Sequence, residues 1–310
     1  MNESSSGEAD APAARLSGPV KGILCILTAA FLFTLFNAIA KWLADDYSPF
    51  QIMFFRGLFG LLPLVLLLAW EPGPPQLRSH RVELQLVRAL LALLSTVCFI
   101  IAYRSMPLAD ALAIGYAAPI IVTILSLPLL AERVGIHRWG AVILGFLGVL
   151  LIIQPGVGVF DPAALWAMLG AALYALMIIT TRRLGSIDTT ACTMLHSNVF
   201  YIVACGAALP FIWVTPDAFD LALFVAVGLL TGAGMFFFVR AYYHSQAATI
   251  APFDYTAMVW AILIGLLVWD DFPDALTLIG MAIVAAASLY ITRREAVRAR
   301  AKPVASETVR

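Results

Sequence analysis

Residues 102–118 read AYRSMPLADALAIGYAA, and residues 241–257 read AYYHSQAATIAPFDYTA. An offset of 139 positions lays Ala102-Tyr103 on Ala241-Tyr242, Ala109 on Ala248, Tyr116 on Tyr255 and Ala118 on Ala257. Continued outward, the same offset brings Glu132 onto Asp271, and one inserted residue brings Gly140 onto Gly280. Single coincidences are cheap in apolar sequence, but these fall at the boundaries of apolar runs as well. The chain reads as two copies of one unit.

Around these stretches lie ten apolar runs: Gly22–Trp42, Phe50–Trp70, Leu84–Tyr103, Leu108–Ala131, Trp139–Ile153, Pro162–Thr181, Thr190–Trp213, Phe219–Tyr243, Ala247–Trp269 and Ala275–Thr292. Most have roughly the 20 residues needed to cross a ~30 Å hydrocarbon core as a helix; the fifth is short. Of the 310 residues, 62% are hydrophobic and 12% charged, where a soluble domain carries about 25% charged residues. A membrane β-barrel also satisfies its backbone in lipid, but it shows apolar-polar alternation in segments of about 10 residues. These runs are apolar on all sides, and the loops between them leave no room for a soluble domain. The expectation is an all-α polytopic membrane protein of ten transmembrane helices.

Five spans per copy is an odd number, so corresponding helices cross in opposite directions. Charge agrees: Glu132-Arg133 with His137-Arg138 is a basic loop, whereas its counterpart, Asp270-Asp271 with Asp274, is acidic. One set of loops holds Arg15, Lys21, Arg78, Arg81, Arg133, Arg138, Arg182, Arg183 and the tail basics Arg293, Arg294, Arg298, Arg300, Lys302 and Arg310. The other holds Lys41 and Arg104 with Asp45, Asp46, Asp161, Asp217, Asp220, Asp270, Asp271 and Asp274. The positive-inside rule then places both termini in the cytoplasm. The expected organisation is a flexible tail over residues 1–20, a five-helix repeat over 21–154, a second over 155–294 and a basic tail over 295–310. Inverted repeats of this kind place a substrate site near the midplane where the halves meet.

Residues 1–20 lack the basic and apolar regions of a signal peptide. Cys25, Cys98, Cys192 and Cys205 fall inside spans without metal-ligand spacing, and read as small packing residues. Nothing matches a phosphate-binding Gly-x4-Gly-Lys-Ser/Thr loop, a His-Glu-x2-His metal site or a Gly-x-Ser-x-Gly elbow. The tail basics suit anionic lipid. No enzyme activity, cofactor, metal or nucleic acid is expected.

Several motifs carry a family resemblance: Ala40-Lys41-Trp42-Leu43-Ala44, Phe54-Phe55-Arg56-Gly57-Leu58, Met106-Pro107-Leu108-Ala109-Asp110-Ala111, Ala131-Glu132-Arg133, Gly145-Phe146-Leu147-Gly148-Val149 and Ala251-Pro252-Phe253-Asp254-Tyr255. Over roughly residues 20 to 295 the chain resembles the drug/metabolite transporter superfamily, in its ten-helix EamA-like branch. The resemblance implies a carrier nearest in pattern to bacterial members that move S-adenosylmethionine, riboflavin or amino acids. One departure is Asn37, which stands where related chains often have an acid.

An ionisable side chain at the bilayer centre costs about 2.5–3.5 kcal/mol on insertion scales, so each one inside a span needs a reason. Arg56 lies about 10 Å below the start of its helix at 1.5 Å per residue. It either snorkels and pairs structurally or meets an anionic substrate group. Asp254 lies at a similar depth from the opposite side, with Arg240 and Arg88 at its level. One reading pairs Asp254 with either arginine; the other gives it a proton or a cationic substrate. Asp110 reads as favouring the positive end of its helix. Pro119 and Pro252 interrupt helix hydrogen bonding inside spans, which is tolerated where neighbours or a wet cavity satisfy the freed carbonyl.

Tyr116, Trp166, Tyr174, Tyr255 and Trp260 lie deep enough to stack on a planar or cationic ligand. Trp42, Trp70, Trp213 and Trp269 sit at span ends, as interfacial belts do. His196 and Asn198 read as interhelical hydrogen-bonding groups, and Gly232, Gly234, Gly145 and Gly148 as close-packing positions. The candidate substrate residues are thus Asn37, Arg56, Tyr116, Tyr174, Asp254, Tyr255 and Trp260, with Arg88, Pro119, Arg240 and Pro252 structural or gating.

The expected function is secondary transport of a small organic metabolite across a bacterial inner membrane by alternating access. Its partners would be the substrate, a coupling proton or sodium ion, membrane lipid and, as a homodimer, a second copy of the chain. The alternatives are an exporter of amino acids or drugs, a lipid flippase or an intramembrane enzyme.

Overall fold

The computed structural model describes residues 18–70, 77–130, 136–154, 162–184, 188–245 and 247–301, and every regular element among them is a helix. Arg15, Glu132, Arg133, Asp161, Lys302 and Arg310 lie outside the described residues, as do residues 1–17 of the expected N-terminal tail. In chain order the helices are α1 (Gly18–Leu43), α2 (Pro49–Phe59), α3 (Leu61–Trp70), α4 (Val82–Tyr103), α5 (Leu108–Gly115), α6 (Ala118–Leu130), α7 (Ile136–Ile153), α8 (Pro162–Leu184), α9 (Thr190–Gly206), α10 (Leu209–Ile212), α11 (Ala218–His244), α12 (Ala247–Asp254), α13 (Thr256–Trp269) and α14 (Ala275–Ala301).

Six stretches are long and apolar enough to cross a membrane by length and composition: Val20–Leu43, Val82–Tyr103, Leu108–Leu125, Pro162–Thr181, Ala218–His244 and Pro252–Trp269. Pro49–Val65, Trp139–Ile153 and Ala275–Ile291 are shorter apolar helices. Thr190–Trp213, expected as one span, falls in neither group. Its first part, α9, carries Thr193, His196, Ser197 and Asn198, and α10 runs four residues.

Four expected spans are broken rather than continuous, and proline explains three. A proline cannot donate to the carbonyl four residues back, and its ring crowds that carbonyl. Pro63 thereby breaks the run at Phe59–Leu61, Pro119 at Gly115–Ala118, and Pro210 at Gly206–Leu209. The fourth break, at Tyr255, comes three residues after Pro252. There the Thr256 hydroxyl donates to the Phe253 carbonyl at 2.7 Å, a local bond that competes with the helix ladder. In the opposite sense, α14 runs past the expected end at Thr292 to Ala301, because Arg, Glu and Ala there are strong helix formers.

Several of the main helix pairings recur when each element is exchanged for its counterpart 139 or so positions along. α1 packs on α11, and the counterpart pair is α8 on α4. α1 also packs on α12 and α13, as α8 does on α5 and α6. α2 on α9 and α7 on α14 map onto themselves. The α7–α14 crossing is close because two glycines meet. A Cβ on Gly280 would stand 2.7 Å from the Gly148 carbonyl oxygen, where no side chain fits. Gly232 similarly accommodates the ring of Pro63, 2.5 Å from where its Cβ would be.

The acidic loops gather at one end of the bundle. Lys41 Nζ forms an ion pair with Asp271 at 3.1 Å, donates to the Met106 carbonyl at 3.2 Å, and lies 4.7 Å over the Trp269 ring. The αL conformation of Asp270 (φ 57°) turns the chain so that Asp271 reaches it. Tyr47 donates to Asp220 at 2.7 Å, and Gln154 donates to Asp274 at 2.7 Å. At the other end Ser79 and Gln85 both donate to Asp188, at 2.5 and 2.8 Å.

Candidate functional site

The two broken helices that correspond under the duplication meet in the interior. Tyr116, at the end of α5, and Tyr255, at the start of α13, have ring centroids 4.9 Å apart, tilted by 39°. The Tyr116 hydroxyl donates to the backbone carbonyl of Asp254 at 2.9 Å, and the Ser288 hydroxyl on α14 donates to the Tyr116 carbonyl at 3.1 Å. Backbone groups released at both breaks are therefore taken up by side chains of neighbouring helices, as lipid-free burial requires. Asp254 is partly buried at the end of α12. Its carboxylate lies within electrostatic range of Tyr116, Tyr174, Tyr242 and Tyr255. Among the described residues it has no ion-pair partner.

The guanidiniums lie elsewhere, so the expected pairing of Asp254 with Arg88 or Arg240 does not form. Arg88 donates from Nε to the Thr181 hydroxyl and from Nη1 to the Ser197 hydroxyl, both at 3.0 Å. Tyr201, Tyr174 and Arg56 are within its electrostatic range. Arg56 lies over two rings, 5.1 Å from the centroid of Phe36 and 5.5 Å from that of Tyr201. Its hydrogen-bond contact is the Met53 sulfur at 3.7 Å. Arg240 lies 3.5 Å from His244, over Phe236, and within electrostatic range of Cys25 on α1.

Other expected residues are placed apart from this cluster. Trp260 meets Phe31 of α1 edge-on at 5.1 Å, with its buried Nε1 unbonded among the described residues. Asn37 is half-buried on α1, between Phe36, which supports Arg56, and the buried Ala38. Pro119 acts through the break at Gly115–Ala118, whereas Pro252 lies inside α12, three residues before the break at Tyr255. His196 bonds within its helix, to the Cys192 carbonyl at 2.8 Å, instead of across helices. Asp110 sits in the first turn of α5 without capping it: the N-cap is Pro107, and Asp110 Oδ1 is buried without a hydrogen bond among the described residues.

Sequence reasoning passed over Tyr201 and Tyr242. Tyr201 follows Ser197 by one helical turn, a spacing that puts both on one face. Tyr242 was visible as the counterpart of Tyr103. Lys41 was seen as a basic residue of the acidic end, but its partner Asp271 needs the folded αL turn.

Outside the spans, two carboxylates are tuned by their neighbours. Partial burial pushes Asp188 upward, but hydrogen bonds from Ser79, Gln85 and the His80 backbone outweigh it and hold the group below its ordinary range. Hydrogen bonds from Gln154 and the Thr277 backbone do the same for Asp274.

Known proteins match this arrangement along most of the chain. A solved structure described as "Crystal structure of protein" superposes with a TM-score of 0.62 at 17% identity, covering 90% of this chain and 99% of that one; it shares the fold. A riboflavin transporter of Rhizobium johnstonii is 30% identical over 291 residues, covering 92% of this chain and 95% of its own. A pseudopaline exporter of Pseudomonas aeruginosa is 29% identical over 279 residues, covering 88% and 96%. An S-adenosylmethionine uptake transporter of Rickettsia prowazekii is 24% identical over 277 residues, covering 89% and 94%. The profile of the EamA-like transporter family matches twice, at residues 20–154 and 161–293, once per copy of the duplicated unit. With its apolar helices and this double match, the chain is a multi-pass membrane protein that belongs to the EamA-like transporter family.

Proposed function

We propose that this protein is a secondary carrier of a small organic metabolite in a bacterial inner membrane, working by alternating access. In this reading α2 with α3, α5 with α6, α9 with α10 and α12 with α13 each make one crossing, giving ten. Residues 21–154 and 155–294 are then repeats of opposite orientation, with both termini cytoplasmic. The observation that carries the reading is the meeting of Tyr116 and Tyr255 at two corresponding helix breaks, beside the carboxylate of Asp254. Discontinuous helices meeting at a repeat interface are where secondary carriers bind cargo. Tyr116, Tyr174 and Tyr255 supply faces for a planar or cationic ligand, and Asp254 supplies the charge.

Uptake and efflux of labelled S-adenosylmethionine, riboflavin and amino acids in a transport-deficient host test this reading. Movement of one of them that depends on Asp254 supports it. A name among the relatives, the pseudopaline exporter, gives the efflux arm equal standing with uptake. If a folded protein moves no small solute in either direction but scrambles labelled lipid, the carrier reading gives way to a flippase.

A further inference from the structure

Arg56 and Arg88 come from α2 and α4, whereas Asp254 ends α12. Arg88 bonds Ser197, and Arg56 lies over Tyr201. Those two positions are four apart on α9, about 6 Å along the axis at 1.5 Å per residue. Both cations therefore face one strip of α9, and each lies in the other's field. Among the described residues neither has a carboxylate partner. The hydroxyls of Thr181 and Ser197 orient Arg88 without neutralising it, and the rings of Phe36 and Tyr201 hold Arg56 in place. Two like charges so placed repel until an anion joins them. Tyr174 is 43% exposed. It is within electrostatic range of both Arg88 and Asp254.

We propose that Arg56 and Arg88 form a carboxylate-binding pole of the substrate site, opposite Asp254, and that the cargo is a zwitterion of the α-amino-acid type. Guanidinium groups present N–H pairs that match a carboxylate, and such charge-assisted bonds are the strong ones. Arg88 has Nη2 left to give after its two hydroxyl contacts, and Arg56 has Nε and Nη2 beside the Nη1 that meets the Met53 sulfur. At the other pole Asp254 takes the cationic end of the cargo, with the tyrosines around it. This inference rests on the carrier reading and names the substrate class for it.

The test uses the full chain reconstituted in proteoliposomes, with counterflow of S-adenosylmethionine against its decarboxylated analogue, and of tyrosine against tyramine. Riboflavin serves as cargo without a carboxylate. The expected result is that the carboxylated member of at least one pair is preferred by about tenfold or more, the worth of a charge-assisted hydrogen bond. Arg88→Gln, which keeps hydrogen bonds to the two hydroxyls, reduces that preference to within about twofold, whereas Arg88→Lys keeps most of it. Equal transport of both members of each pair, or transport of riboflavin alone, overturns the zwitterion and leaves the carrier intact. A folded protein that transports none of these probes overturns it too, and loss of all solute movement removes the carrier reading with it. An Arg88→Gln protein with its preference unchanged removes Arg88 from the pole.

Discussion

Tyr116 and Tyr255 lie with their rings 4.9 Å apart in space and 139 positions apart in sequence, the offset that superposes the two copies of the repeat. Residues related by duplication that also touch each other mark the seam between the copies. The Tyr116 hydroxyl adds a bond across it, to the Asp254 carbonyl. Tyr116→Phe keeps the ring contact and removes that bond. Loss of one hydrogen bond costs about 1 kcal/mol. We expect transport to fall several-fold with a small drop in melting temperature, measured by counterflow and by thermal unfolding in detergent. Unchanged transport would confine Tyr116 to packing.

Asp254→Asn is nearly isosteric, so expression and melting temperature should hold while transport is lost. Uptake at the wild-type rate by this variant would separate Asp254 from the cargo.

Lys41 and Asp271 join the end of α1 to the turn before α14. Removing one member of a buried pair costs about 3–5 kcal/mol and of an exposed pair about 0.2–1. Asp271 is 35% exposed, so Lys41→Met should cost about 2 kcal/mol, between those limits. In a double-mutant cycle with Asp271→Leu, the two changes together should cost less than their sum. Strict additivity in the melting data would show that the pair contributes nothing.

Asp188 titrates below its unfolded value, so it contributes stability that is complete above the unfolded carboxylate pKa of about 3.9 and is lost as pH falls through the lower folded value. Melting temperatures of wild type and Asp188→Asn should differ by a constant amount from pH 7 to about 5, then converge below about 4. A gap that grows on acidification contradicts the assignment.

Gly280→Ala and Gly140→Ala make a matched pair on the packed helices α14 and α7. At Gly280 a Cβ meets the Gly148 carbonyl, and overpacking of this kind costs about 1–3 kcal/mol. At Gly140 nothing lies within 4 Å. There alanine should be neutral or gain up to about 1 kcal/mol from helix propensity. Thermal unfolding of the two variants decides it, and a Gly280→Ala protein as stable as wild type would mean that the helices part easily.

The broad architecture was legible because its causes are local. Apolar length marks helices for lipid, and Tyr116, Tyr255 and their neighbours at matching spacing reveal the duplication. The breaks were half legible: Pro63, Pro119 and Pro210 were visible, yet a proline in a span kinks or breaks according to what receives the freed carbonyl. That depends on partners such as Ser288, which lies 172 positions from the carbonyl it meets. Arg88 was read at the depth of Asp254, but depth leaves direction open, and Ser197 and Thr181 decide where it points. Trp260 faces Phe31, since helical rotation against α1 is set by packing that spacing alone does not encode.

The copies share a framework but not their chemistry. Under the 139-residue offset the counterpart of Asp254 is Gly115, and that of Arg88 is Val227. A side chain at Gly115 would press on the Phe99 ring, 3.1 Å from its Cβ position, so a matching acid in the first copy would have to displace that ring. A molecule turned end for end between the halves would find bare backbone where it needs an anion. The two copies are thus unequal at this position, and in the proposed carrier a polar cargo would be held the same way round whichever face it came from.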